Sequence, residues 1–176
     1  MVFDQVLPRR LGRWMTAEPD WEQIYAEQLP RVLNFFRYRV GPTGDVEDLT
    51  AQTFEKAWRA RHRYRRDVAG FTTWLLSIAR NVAIDHLRVR QRHEPLDVAA
   101  AIAAPDVTPE QHAMQQSEAE RLGALLALLP DRQRELMAMK FGADMTNRAI
   151  ARATGLSESN VGTILHRAVE SLRERW

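Results

Sequence analysis

Between Phe71 and His93 the apolar residues Phe71, Leu75, Ile78, Val82 and Val89 return at steps of four, three, four and seven, the repeat of one stripe along a helix. A stripe of that length must be covered, so the chain has to supply further helices with matching faces. Ser77, Asn81, Asp85, Arg88 and Arg92 make a second stripe on the same helix, at steps of four, four, three and four. It sets amide, carboxylate and guanidinium groups in a row, a face suited to reading a polar partner. Cations also favour the dipole at a helix C-terminus, so Arg88, Arg90 and Arg92 equally suit a solvated helix end.

The covering helices are legible on either side. From Asp20 onward Ile24, Leu29, Val32, Leu33, Phe35 and Phe36 keep a helical period. Pro30 is expected to kink or split that helix, and Gly41, Pro42 and Gly44 to end it. Asp45 to Arg63 reads as a second helix. Val46, Leu49, Thr53, Phe54, Ala57 and Trp58 form its buried side, Asp48, Gln52 and Glu55 the other, and Asp45 serves as N-cap. The basic loop Tyr64 to Gly70 leads into the Phe71 helix and brings Tyr64, Phe71 and Trp74 among arginines, the combination that stacks on unpaired bases. Core packing is the other account of Phe71 and Trp74, and for Phe71 it is the preferred one.

Residues 94–117 contain Pro95, Pro105 and Pro109 and no sustained amphipathic period, which reads as a linker between two domains. Periodicity returns with Leu122, Leu125, Leu126 and Leu129, then Leu136, Met137 and Phe141. Near the end, Thr146 caps a short helix holding Ile150 and Ala151, Gly155 and Leu156 make a tight turn, and Ser157 or Ser159 opens a helix with Val161, Leu165, Ala168 and Leu172 inward. Helix, glycine turn and helix in that order spell a helix-turn-helix, with Glu158, Asn160, Thr163, His166 and Arg167 outward where a major groove would be entered. The expected fold is all-α: two small helical domains joined by a flexible acidic linker, the second ending in a helix-turn-helix. The parts are a flexible extension over 1–20, a domain over 21–93, the linker over 94–117 and a domain over 118–176.

Charge sharpens the reading. The net formal charge is +2, yet Arg59 to Arg92 holds nine Arg against Asp67 and Asp85, giving +7, while Glu94 to Glu120 holds six acids and no Lys or Arg, giving −6. An arginine-rich segment beside an acidic one belongs to a protein that meets phosphate in one place and avoids or imitates it in another. No apolar run approaches the roughly 20 residues of a membrane span, so no membrane insertion is expected and the chain reads as cytoplasmic. There is no cysteine, and the five histidines, His62, His86, His93, His112 and His166, are scattered, so no metal and no cofactor are assigned.

These features in this order resemble a bacterial sigma factor of the sigma-70 family, extracytoplasmic-function class, over roughly residues 21 to 176. DVEDLTAQTFEKAW (Asp45 to Trp58) is similar to the family's polymerase-binding helix. FTTWLLSIARNVAIDHLR (Phe71 to Arg88) is similar to its promoter-melting and minus-ten segment. LLALLPDRQRELMAMKF (Leu125 to Phe141) and IARATGLSESNVGTILHRAVESLR (Ile150 to Arg173) are similar to its minus-thirty-five module.

The resemblance implies that Asp48, Leu49, Gln52, Thr53 and Phe54 dock on the clamp helices of the largest subunit of core RNA polymerase, with the flap as a further contact. It implies that Tyr64, Arg65, Arg66, Trp74 and Asn81 hold the melted non-template strand, and that Arg88, Arg90 and Arg92 hold phosphates. Ser159, Asn160, Thr163, His166 and Arg167 would meet minus-thirty-five duplex DNA, and an anti-sigma factor is the implied inhibitor. Gly162 and Ile164 stand where the family commonly has basic residues.

Two other functions stay open at this level. A helix-turn-helix regulator that never joins polymerase would need neither the Asp45 to Trp58 helix nor the melting segment. A metal-dependent nuclease would use Asp45, Glu47, Asp48 and Glu55, but these do not converge on one helix face.

Overall fold

A computed structural model describes residues 21–41, 43, 45–66, 68–93 and 109–176, apart from the side chains of 93 and 109–117. The calls on 1–20 and on most of the linker, 94–108, lie outside the described residues. Those residues form helices and no strand: α1 (Trp21–Val40), α2 (Asp45–Ala60), a 3-10 turn (Arg61–Arg63), α3 (Phe71–His93), α4 (Pro109–Ala127), α5 (Asp131–Met137), a π-helical turn (Ala138–Gly142), α6 (Asn147–Thr154) and α7 (Glu158–Arg173). The all-α expectation is met.

The first three helices pack on one another as their stripes require, with Val32, Phe35, Phe36, Val46, Leu49, Phe54, Leu75 and Val82 buried between them. Pro30 does not split α1, which runs through it on the solvent side; the lost hydrogen bond there is open to water. Asp45 is the first residue of α2 rather than a cap ahead of it, and with Glu47 and Asp48 it sets three carboxylates on the positive end of the helix dipole. Trp58 and Val89 were read as buried, but they are 47% and 54% exposed.

α4 begins at Pro109, so the second half's helices reach back into the span read as linker; proline suits a first helical turn, where its missing N–H has no partner to lose. Arg134 ties α4 to α5. Its Nε donates to the Leu126 carbonyl at 2.8 Å, and its Nη2 to the Ala127 carbonyl and, at 3.3 Å, to that of Leu129. These are the carbonyls that a helix end leaves without partners. Burial, and then the neighbouring Arg39 charge, hold the Arg134 guanidinium below its ordinary pKa, while Asp131 acts in the opposite sense.

The helix-turn-helix has the caps read from sequence. Thr146 Oγ1 accepts from the Ala149 N–H at 3.2 Å and Ser157 Oγ from that of Asn160 at 3.2 Å. Gly155 closes α6 at φ +74°, a left-handed conformation that glycine adopts without strain.

One buried core runs through both halves. Phe35 and Phe36 belong to the same cluster as Leu136, Met139 and Ile150, with α1 against α5 and the π-helical turn, and α6 against α3. Leu76 and Ala83 are fully buried, and Arg80 is hydrogen-bonded to Glu135 of α5. With Leu87 they form a stripe at steps of four, three and four. α3 therefore has a third face, turned to the second half.

Candidate nucleic-acid interface

The polar stripe of α3 lies on the side away from both packing faces. Asn81, Asp85, Arg88 and Arg92 are exposed and Arg90 is half-buried. Ser77, the first of the row, is half-buried and donates to the Trp74 carbonyl at 2.6 Å.

At the N-terminal end of α3 the aromatic residues gather. Tyr64 stands 5.3 Å from Phe71 and 5.2 Å from Trp74, and those two rings are 5.3 Å apart. Trp21 meets Phe71 edge-on at 5.8 Å and Trp58 at 5.1 Å. The Arg61 guanidinium lies over the Trp58 ring, 4.1 Å from its centre. Such rings offer flat faces, and Arg61, Arg65 and Arg66 at their rim are exposed cations. Tyr64, Phe71 and Trp74 are each half-buried, so these rings are both core and surface. Trp21 and Trp58 were not anticipated here, because they come from two other helices and no local spacing links them.

On α7, Ser159, Asn160, Thr163, His166 and Arg167 are all exposed on the outward face. Thr163 Oγ1 donates to the Ser159 carbonyl at 3.1 Å, and His166 Nε2 lies 3.6 Å from a Glu170 carboxylate oxygen. Gly162 is on the inner side, where a methyl would meet only Asn147 Nδ2 at 3.8 Å. Gly162→Ala is therefore expected to stabilise the fold by about 0.5–1 kcal/mol, read as a higher midpoint in thermal unfolding.

The α2 face needs correction. Asp48 and Gln52 are exposed, with Glu47, Ala51, Glu55 and Trp58 beside them, but Leu49, Thr53 and Phe54 are buried. Thr53 Oγ1 donates to the Leu49 carbonyl at 2.8 Å, and Phe54 packs against Tyr25 with ring centres 4.5 Å apart. Those three side chains hold α2 to its neighbours and are not available to a partner. What α2 offers is an acidic arc with an exposed tryptophan at its end.

The family model for Sigma-70 region 2 matches residues 24–93 and that for Sigma-70, region 4 matches 119–172. The chain belongs to the sigma-70 family. The ECF RNA polymerase sigma factor RpoE of Cereibacter sphaeroides is 31% identical over 174 residues, covering 97% of this chain and 94% of that one. The RNA polymerase sigma factor CarQ of Myxococcus xanthus is 33% identical over 162 residues, covering 90% of each. Among solved structures, the sigma factor RpoE in complex with the anti-sigma factor NepR from Bartonella quintana superposes with a TM-score of 0.72 at 21% identity, over 88% of this chain and 95% of that one. CnrH in complex with the cytosolic domain of CnrY gives 0.66 at 23% identity, over 88% and 85%. This sigma factor is of the extracytoplasmic-function class and serves transcription initiation as a promoter-recognising subunit of RNA polymerase. No helix among its described residues is long and apolar enough to cross a membrane.

Proposed function

We propose that residues 21–93 and 118–176 divide the work of this sigma factor between core polymerase and two promoter elements. The α2 arc around Asp48 and Gln52 docks on the largest-subunit clamp helices. Tyr64, Arg65, Arg66, Trp74 and Asn81 hold the melted minus-ten strand, and Arg88, Arg90 and Arg92 bind its phosphates. Ser159, Asn160, Thr163, His166 and Arg167 meet the minus-thirty-five duplex. The observation that carries this reading is that an acidic face, an arginine-and-aromatic face and a short-polar face stand apart on α2, around the N-terminal end of α3 and on α7, each with exposed side chains. The chain acts by binding and performs no chemistry of its own, in the cytoplasm. Solved structures of CnrH and the Bartonella RpoE are complexes with CnrY and an anti-sigma factor, and a protein partner of that kind is proposed here to cover the α2 arc.

The test is pull-down of bacterial core polymerase by the purified chain, followed by run-off transcription from a promoter library. Binding together with initiation at a shared two-element sequence is expected; duplex DNA affinity without polymerase binding would leave an ordinary helix-turn-helix regulator. Trp74→Ala is expected to leave pull-down intact and to lower open-complex formation by about 1–3 kcal/mol, the worth of one stacked base, with Trp74→Phe retaining most of it. Permanganate reactivity of melted thymines reads the difference.

A further inference from the structure

The first cation on α7 is Arg167, in the second half of the helix; from Thr154 to His166 the chain has no lysine or arginine. In a helix-turn-helix the N-terminal part of the second helix meets the base edges. Guanine presents two acceptors in the major groove, O6 and N7, and is read chiefly by a forked Arg or by Lys. The part of α7 that would enter the groove has no such donor. Glu158 in its first turn is exposed and sets a carboxylate there, which an acceptor edge repels.

Asn160 and Thr163 stand there instead. The Ser157 cap takes the backbone N–H of Asn160 and leaves its side-chain amide exposed. A carboxamide carries a donor and an acceptor side by side, the complement of N7 and N6 of adenine. Thr163 is exposed as well, but its hydroxyl donates within the helix, to the Ser159 carbonyl at 3.1 Å. Its γ-methyl is the group left for contact, and the apolar counterpart in the major groove is the thymine methyl. Ser159 suits either kind of base pair and adds no choice. His166 is drawn the other way, with Nε2 3.6 Å from Glu170 Oε1 a turn further along.

Asn160 and Thr163 are one turn apart, about 4.5 Å along the axis at about 1.5 Å per residue. A base-pair step is about 3.4 Å, so the two side chains fall on neighbouring pairs. Attraction to phosphate comes from another helix. Arg148 and Arg152, one turn apart on α6, are both exposed, and the first helix of such a motif crosses the DNA backbone.

We infer that the minus-thirty-five element of this chain holds two neighbouring A·T pairs, with adenine read by the Asn160 amide and a thymine methyl by the Thr163 methyl, and that guanine is disfavoured at both. The inference rests on the minus-thirty-five reading of α7 proposed above. It separates base choice, on α7, from backbone affinity, on α6.

Holoenzyme assembled from the full chain and bacterial core polymerase, presented with a duplex library randomised over both promoter elements, gives the first test. Neighbouring A·T pairs are expected in the enriched minus-thirty-five sequences. Asn160→Arg is expected to exchange adenine for guanine at one of the pairs, by about 5- to 150-fold in relative affinity, and Asn160→Gln to keep adenine. Thr163 is tested by an atom on the DNA. Replacing the selected thymine by deoxyuridine, which lacks the methyl, is expected to weaken binding about fourfold, the effect of one methyl returned to water. Thr163→Val keeps a methyl and should keep that sensitivity; Thr163→Ser should lose it. Arg152→Ala should instead lower affinity for all duplexes alike and flatten the salt dependence. Enrichment of guanine at these pairs by the unaltered holoenzyme, or an equal loss on deoxyuridine with Thr163→Ser, would overturn the base assignment. A holoenzyme that opens promoters but selects no minus-thirty-five sequence would sink the two-element reading, and a chain that does not bind polymerase the sigma reading.

Discussion

Asp48→Arg is expected to weaken binding of core polymerase by about 2–3 kcal/mol, on the order of 30- to 150-fold, and to lower stability by at most about 1 kcal/mol, the cost of a cation at the positive end of the α2 dipole. Asp48 is exposed in the first turn of α2 beside Asp45 and Glu47, and it bonds to nothing in the core. Reversing its charge puts a cation into the acidic arc proposed to dock on polymerase, where a charge of the wrong sign in contact costs several kcal/mol, and leaves the helix packing as it was. Quantitative pull-down beside a circular-dichroism melt checks both halves of the statement. Phe54→Ala gives the contrast: it removes a ring buried against Tyr25, so its effect should appear in the melt first. If Phe54→Ala weakened polymerase binding with its melt unchanged, the buried assignment would fail.

Phe35→Ala is expected to destabilise the fold by about 3–5 kcal/mol. The ring is fully buried, packs edge-on against Phe36 at 5.2 Å, and lies where the π-helical turn rests on α1. Truncation leaves a cavity that rigid helices on both sides cannot close. For a domain of this length the midpoint should fall by roughly 6–20 °C in thermal unfolding. Because one core serves both halves, helicity should be lost from them together, in one transition. Loss of the first half alone, with the second intact, would contradict a shared core.

Local signals in the sequence carried much of this fold. Phe71–His93 is a helix with the ends its pattern gave, and Thr146, Gly155 and Ser157 cap and turn as their chemistry requires. Each of those readings depends on residues within a few positions of one another. The five outward residues of α7 were legible for the same reason. Leu49, Thr53 and Phe54 are instructive in the opposite way: periodicity put them inside, the family likeness put them on a partner face, and burial agrees with periodicity.

What escaped the sequence depends on partners far along the chain. Leu76, Arg80 and Ala83 look like unremarkable positions on α3 until α5 and α6 are seen to cover them. Arg39 lies near the end of α1, and nothing local announces that its side chain is buried and paired with Asp131 of α5. Trp21 and Trp58 joined the rings around Phe71 by tertiary packing alone, and the exposure of Val89 follows from α3 extending past the helices that cover its N-terminal two-thirds.

The outward face of α7 has a consequence for how such a protein diversifies. Ser159, Asn160, Thr163, His166 and Arg167 line one side of a helix that gives the core Val161, Leu165 and Ala168, with Ile164, Val169 and Leu172 packed against it. Duplicated copies of the gene can exchange those five side chains freely while the scaffold, its caps and its turn stay as they are. On the proposed minus-thirty-five reading, divergent copies in one cell can thereby acquire separate targets, and a designer seeking mutually insulated switches would alter the same five positions.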